Sequence, residues 1–215
     1  MITSDIILLL VVFCGLTALQ FFKGRKDNLA LMSIFSHELE NAIEPKDKLY
    51  TWLGGYIGFK ADYNMGEDTL DKVEVTLTLL PRHSLFYFPI ALLISKRDRL
   101  YLVFRLQKKP SNETHIVEKR YKRTRKIEEE VALDVEEINI GKKNFKVLYE
   151  KSNIAKTLVS WFKNLENPSL IKHIAIVPKT NVFYVFMKPK PGLVEDYVKK
   201  VMDLLNSASF KNILR

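Results

Sequence analysis

The sequence predicts an α+β protein: a single N-terminal transmembrane helix followed by a cytosolic domain of largely antiparallel sheet covered by amphipathic helices. Three observations predict it. Ile6 to Phe22 carries no charge, and Thr17 and Gln20 are its only polar side chains. Beyond it, short runs of β-branched and aromatic residues are separated by Gly, Pro, Asn and basic turns. Between those runs lie segments with helical spacing, but strands and helices do not alternate regularly as a parallel βαβ sheet requires.

Ile6 to Phe22 is seventeen residues, about 25 Å of helix, which approaches the roughly 30 Å hydrocarbon core of a bilayer. The preceding segment, Met1 to Asp5, has no Lys or Arg, and Phe21, Phe22 and Lys23 follow the run where a signal peptide would place small residues. A retained anchor over 1–22 is expected. Lys23, Arg25 and Lys26 stand at the membrane interface, and against the lone Asp5 they place the N-terminus outside and residues 23–215 in the cytosol. Cys14, the only cysteine, lies in the span, so the body holds no disulfide. Asn112-Glu113-Thr114 matches a glycosylation acceptor that this topology leaves unused.

Asn28 to Ile43 has apolar residues at Leu29, Met32, Phe35, Leu39, Ala42 and Ile43, a helical period that Pro45 closes. Leu49 to Tyr63 and Val73 to Leu80 read as strands, and Gly54, Gly55 and Gly58 indicate a bulge or a close backbone approach. Ser84 can cap a very apolar helix, Leu85 to Ile94. At ten residues it is too short to span, so it reads first as a buried core helix, with a membrane-facing helix as the alternative. A strand, Leu100 to Leu106, follows. A polar, basic connection near 108–126 then joins two halves of the domain. Past a Glu-rich stretch come strands near Ile138 and at Phe145 to Tyr149. Ile154 to Leu165 repeats the helical spacing, Ile171 to Val177 and Val182 to Met187 form a hairpin, and Leu193 to Leu205 makes a helix that covers a sheet.

A chain of 215 residues with 47% hydrophobic and 27% charged side chains is neither a disordered tail nor a disulfide scaffold nor a many-domain enzyme. His37, His83, His115 and His173 lack zinc spacing, and His37-Glu38 fails the metalloprotease motif because position 41 is Asn41. No Gly-x-Ser-x-Gly elbow is present, although a Ser-His-Asp set assembled in space stays open. The reading is of a protein that is not an enzyme, with no catalytic, metal or cofactor residues assigned and no cofactor expected.

Charge is more informative. Residues 23–215 hold 34 basic and 24 acidic side chains, net +10. The densest block is Lys119, Arg120, Lys122, Arg123, Arg125 and Lys126, followed by Lys96, Arg97 and Arg99 around the second turn. Such a block contacts phosphates, of RNA or of lipid, or is a solvated loop balanced by Glu128, Glu129 and Glu130.

The order of parts resembles the calumin family, the coiled-coil-domain-containing subunit of the PAT (protein associated with the translocon) complex. The resemblance runs from about residue 6 to 210. It lies in Phe22-Lys23-Gly24-Arg25-Lys26 before the helix Leu29 to Ile43, in Pro81-Arg82-His83-Ser84 leading into the apolar helix, and in Val177-Pro178-Lys179-Thr180-Asn181 entering an aromatic strand. The sequence differs from the animal members in lacking their acidic lumenal segment, which weighs against carrying over a calcium-binding role. It also stops at Arg215 without their long basic coiled coil, which makes it resemble a minimal version.

The resemblance implies a non-catalytic factor in the biogenesis of multi-span membrane proteins, part of an intramembrane chaperone assembly. Its implied partners are a small membrane protein, the protein-conducting channel, the ribosome through RNA phosphates, the bilayer and multi-span clients. The membrane is the endoplasmic reticulum in a eukaryote and the plasma membrane in a prokaryote. The alternative is a membrane-tethered scaffold that binds anionic lipid or a protein partner without a link to translation.

Overall fold

The computed structural model describes residues 2–66, 69–95, 97–121, 124–130, 133–141 and 143–214. The protein is α+β: one long N-terminal helix, α1 (Ile2–Ile43), then a nine-stranded sheet and further helices. Ser4–Ile43 is long and apolar enough by length and composition to cross a membrane, and its apolar stretch is not buried against the protein. The apolar run and the amphipathic segment Asn28 to Ile43 form one rod. No proline interrupts positions 2–43, so nothing breaks the hydrogen-bond ladder until Glu44, with φ 48°, and Pro45.

The strands are β1 (Asp47–Trp52), β2 (Gly58–Asn64), β3 (Leu70–Thr78), β4 (Arg99–Leu106), β5 (Thr114–Glu118), β6 (Asp134–Ile140), β7 (Lys143–Tyr149), β8 (Ile171–Val177) and β9 (Val182–Met187). Their order is β1-β2-β3-β4-β9-β8-β5-β7-β6, and every neighbouring pair is antiparallel. The helices after α1 are α2 (Tyr87–Ser95), α3 (Thr124–Glu130), α4 (Ser152–Lys163), α5 (Val194–Asn206) and α6 (Ala208–Lys211).

Alternation decides which face is buried. Phe59, Ala61 and Tyr63 of β2, Val73, Val75 and Leu77 of β3, and Leu100, Leu102 and Phe104 of β4 face the helices and are buried. Met32, Phe35, Leu39 and Ile43 of α1 meet them, beside Val194, Val198, Val201 and Leu205 of α5. Glu38 joins these two helices. Its carboxylate accepts from the backbone N–H groups of Gly192 and Val194 at 2.8 Å and of Glu195 at 3.3 Å, so α1 caps the start of α5.

Three expectations are corrected. The stretch Leu49 to Tyr63 is a hairpin of two strands, because Gly54 and Gly55, with φ of 76° and 53°, turn the chain. A Cβ at Gly58 would lie 2.0 Å from the Leu77 carbonyl oxygen, so that glycine does mark a close approach. The stretch 108–126 holds an interior strand, β5, paired with β7 and β8, so one continuous sheet runs through both halves. The apolar helix is not a core helix: of α2 only Ala91 is buried, and Leu93 is 76% exposed.

Candidate functional site

Register fixes which residues share an end of the sheet. Thr78 lies opposite Arg99, Leu100 opposite Met187, Met187 opposite Ile171, Val117 opposite His173, and Glu118 opposite Phe145. The end of β3, the start of β4, the end of β9, the start of β8, the end of β5 and the start of β7 therefore form one edge, here called the proximal end. α1 reaches this end near Leu80, through Asn28, and the opposite end where the Lys46 N–H donates to the Asn64 carbonyl. The apolar half of α1 projects from the proximal end.

A polar neck joins that half to the sheet. Gln20, Gly24 and Asn28 stand four residues apart and so line one stripe of α1. Gln20 Nε2 donates to the Arg82 carbonyl at 2.6 Å. Asn28, fully buried, donates through Nδ2 to the carbonyls of Tyr56 and Leu80, each at 2.8 Å, and its Oδ1 accepts from Arg82 Nη1 at 3.0 Å. Arg82 also makes a bidentate pair with Asp98, at 2.7 and 3.1 Å, and Asp98 Oδ1 accepts from the Leu80 N–H at 2.8 Å. Residues 82 and 98 are thereby clipped together, and α2 is carried on the loop between them. Around the neck, Phe21 and His83 pack edge-on to Tyr56, and the Arg25 guanidinium lies 4.6 Å from the centre of the Tyr56 ring.

The predicted contact residues fall into separate groups. Lys23 and Lys26 are exposed on α1, while Arg25 is half-buried against Tyr56. Arg97 and Arg99 lie at the proximal end, on either side of Asp98, and are half-buried. Lys119 and Arg120 are exposed at the same end, Lys119 held at 2.9 Å by Glu137. Lys96, Lys122 and Arg123 lie outside the described residues, as do the side chains of Arg125 and Lys126, whose backbone belongs to α3. A cavity of about 260 Å³ between Glu118, Lys119, Arg120, Lys143 and Asn144 opens beside the block.

Two buried clusters were not foreseen. Glu118 is gripped by Lys172 and, at 3.0 Å, by Lys143. Burial opposes its ionisation, but hydrogen bonds from Lys172 and Lys143 outweigh that and hold its carboxyl below the ordinary range. Burial pushes the Lys172 ammonium down to about 8, although Glu118 pulls it upward. The second cluster is His115 stacked on His173, with ring centres 5.3 Å apart. With His115 Nε2–H donating to Glu113 at 2.9 Å, Nδ1 accepts from His173 Nε2–H at 3.1 Å. Tyr184 and Tyr121 flank His173. Nothing along the chain signals either cluster beyond a charged residue inside a strand run, since their members come together through the pairing of β5 with β8 and with β7.

Burial lowers the pKa of His115, against the upward pull of Glu113. Below its ordinary 6.5, the unfolded chain takes up a proton that the folded ring resists, so stability falls with pH through the window just below 6.5. The expected result is a melting temperature that drops between pH 7 and pH 5 and a flatter profile over that interval in His115→Gln. Equal slopes in the two proteins would show that the pair does not govern the acid response. Glu118 and Glu74, with lowered carboxyl pKa values, act at lower pH, where their stabilisation is lost as the folded forms are protonated.

Among the described residues no group of three or more His, Cys, Asp or Glu is placed to hold a metal ion. Asn112 of the acceptor triplet is buried, with Nδ2 donating to Glu150 at 3.0 Å, and Thr114 is fully buried in β5. Compared with known proteins, the chain matches no family model and no curated sequence.

Proposed function

We propose that the chain is a non-catalytic, membrane-anchored factor in multi-span membrane-protein biogenesis, a minimal calumin-like protein acting beside the protein-conducting channel and the ribosome. The N-terminus lies outside and the domain lies in the cytosol. The observation that carries this reading is the unbroken α1. A bare apolar half continues into a half packed on the sheet, and the Gln20-Gly24-Asn28 neck fixes one to the other. The domain is thus held at a set height and orientation against the bilayer, as a protein that shelters a client beside a channel requires. A client helix with polar groups is costly to leave unpartnered in lipid, and a protected space next to the channel lowers that cost until its partners arrive. The resemblance in order of parts and the basic exit Lys23, Arg25 and Lys26 support the same reading.

The test is a mild-detergent pull-down of the full chain, in which channel subunits and ribosomes are expected to accompany it. Charge reversal of the block Lys119 to Lys126 is expected to abolish ribosome co-sedimentation at moderate salt, and unchanged sedimentation would remove the block from the ribosome contact. Digestion of the domain by protease added outside sealed vesicles would overturn the topology.

One observation favours the second reading, a tethered scaffold that binds anionic lipid. Arg97, Arg99, Lys119 and Arg120 share the proximal end of the sheet with the loop carrying α2, so the described basic residues of both predicted groups lie towards the anchor. Flotation with vesicles containing phosphatidylglycerol, set against ribosome pelleting, separates the two readings.

A further inference from the structure

The loop from Arg82 to Asp98 joins β3 to β4, which are neighbours in the sheet and need only a short turn. Instead the chain makes a long excursion. Its two ends are clipped by the Arg82–Asp98 pair, and its described residues from Ser84 to Ser95 carry no charge. Phe86, Tyr87, Ile90, Leu92, Leu93 and Ile94 are all exposed. Exposed apolar side chains in this number, contiguous on one element, mark a surface that is not meant for water.

Three features say what covers it. The first is direction. Arg82 meets α1 at Gln20 and Gly24, whereas Phe86 packs on Phe13, with ring centres 5.7 Å apart. Phe13 precedes Gln20 by seven residues, about 10 Å along the helix axis. The excursion therefore runs back along α1 into the level of its bare apolar half, and α2 returns to the neck. The second feature is continuity: Phe86 and α2 extend the same uncovered surface that α1 presents at Phe13, Leu9 and Leu10. The third is backbone economy. Ser84 caps the excursion, its Oγ accepting from the Tyr87 N–H at 3.3 Å and its carbonyl accepting from the Phe88 N–H at 2.9 Å, so two of the backbone donors at the start of α2 are met. A helix, unlike an open loop, is tolerated in hydrocarbon for that reason. Arg82, Arg97 and Arg99 stand at the neck, at the height of headgroup phosphates.

We infer that Ser84 to Ser95 is a re-entrant membrane element: with α1 as the span, Phe86 reaches towards the middle of the bilayer and α2 lies among the acyl chains of the leaflet next to the domain. The inference rests on the reading of α1 as a membrane span. The anchor is then two-legged, which fixes the rotation of the domain about α1 as well as its height.

The test uses the full chain with Cys14→Ser and single cysteines in place of Leu10, Phe86, Leu93 or Asp62. Each is labelled with an environment-sensitive fluorophore and reconstituted into phosphatidylcholine–phosphatidylglycerol vesicles with nitroxide-labelled acyl chains. The Leu10, Phe86 and Leu93 positions are expected to lose half or more of their emission, while Asp62, exposed on the sheet, keeps its own. Quenching at Leu10 without quenching at Phe86 and Leu93 overturns the inference and leaves the span intact. No quenching at Leu10 removes the span and the inference with it. If Leu93→Cys escapes lipid quenching and instead cross-links between two copies, the apolar face belongs to a protein contact and the inference falls. Leu93, which points away from the rest of the protein, keeps the test valid should a label at Phe86 disturb the neck.

Discussion

Gly24→Leu is expected to lower the melting temperature of the full chain by about 10 °C, while Gly15→Ala leaves it unchanged or slightly raised. Both glycines lie in α1, where a change to a residue with a side chain ordinarily favours the helix by up to ~1 kcal/mol. They differ in what a side chain meets. At Gly15 nothing lies within 4 Å of an added Cβ, whereas at Gly24 the Arg82 carbonyl carbon and oxygen lie at 2.2 Å and the His83 nitrogen at 2.4 Å. All three are backbone atoms, so no rotamer change relieves the clash and the 80–84 segment must move off the helix. That movement stretches the bonds from Gln20 to Arg82, from Asn28 to Leu80 and from Arg82 to Asn28 together, in a place where fully buried Asn28 has no water to replace them. Overpacking costs about 1–3 kcal/mol and an unsatisfied buried polar group about 1–3 kcal/mol more. For a domain of this length the sum corresponds to a shift on the order of 10 °C. Membrane extraction by carbonate should not change, because the apolar half is untouched. A Gly24→Leu protein that melts with the parent would show that the neck is loose and would remove the main support for a rigidly held domain.

Segments whose pattern is local were legible in the sequence. The β8–β9 hairpin follows from two β-branched runs around Pro178 to Asn181, and Asn181, with φ 54°, supplies the left-handed turn residue. The buried face of α5 follows from Val194, Tyr197, Val198, Val201 and Leu205 at helical spacing. The strand β5 was not legible, because Thr-His-Ile-Val-Glu has polar residues at three of its five positions, and all five are buried. Lys172 and Lys143, which pair with Glu118, and His173, which pairs with His115, come from other strands, so the polarity of these two residues, which suggested an exposed connection, finds those partners only in the assembled sheet. For α2 the difficulty is of another kind. Hydrophobicity reports that a segment avoids water, but it does not distinguish the interior of a protein from the interior of a bilayer, and only the exposure of Leu93 and its neighbours separates the two.

The contact residues show the same division. Lys23, Arg25 and Lys26 follow the apolar run so closely that their position is fixed by chain connectivity alone. The gathering of Arg97 and Arg99 with Lys119 and Arg120 at one end depends on β9, β8 and β5 standing in that order beside β4. No spacing along the chain encodes it, since the two pairs are separated by the whole length of β4 and β5 and join through strands that come later.

Glu118→Ala should produce the other large effect, a loss of about 3–5 kcal/mol, the range for removing one partner of a buried ion pair. Lys172 and Glu118 have side chains only 7% and 11% exposed, so the freed ammonium does not reach water without opening the proximal end of β5 and β8. The pH dependence gives the effect its signature. Lys172 already has its pKa lowered from 10.5 to about 8, and a Lys with a lowered folded pKa disfavours the fold wherever the unfolded chain is protonated and the folded one resists the proton. In the parent protein stability therefore rises with pH between about 8 and 10.5 from this group. Without Glu118 the upward pull on Lys172 is gone, its folded pKa falls further, and the rising limb begins below pH 8. The melting temperature of Glu118→Ala is expected to recover markedly from pH 7 to pH 10, while that of the parent changes little up to pH 8. The double variant Glu118→Leu with Lys172→Met removes both charges and should regain most of the lost stability at pH 7, leaving only Lys143 to turn outward, which its 29% exposure permits. A double variant as unstable as the single one would mean that packing, and not the unpaired charge, sets the cost.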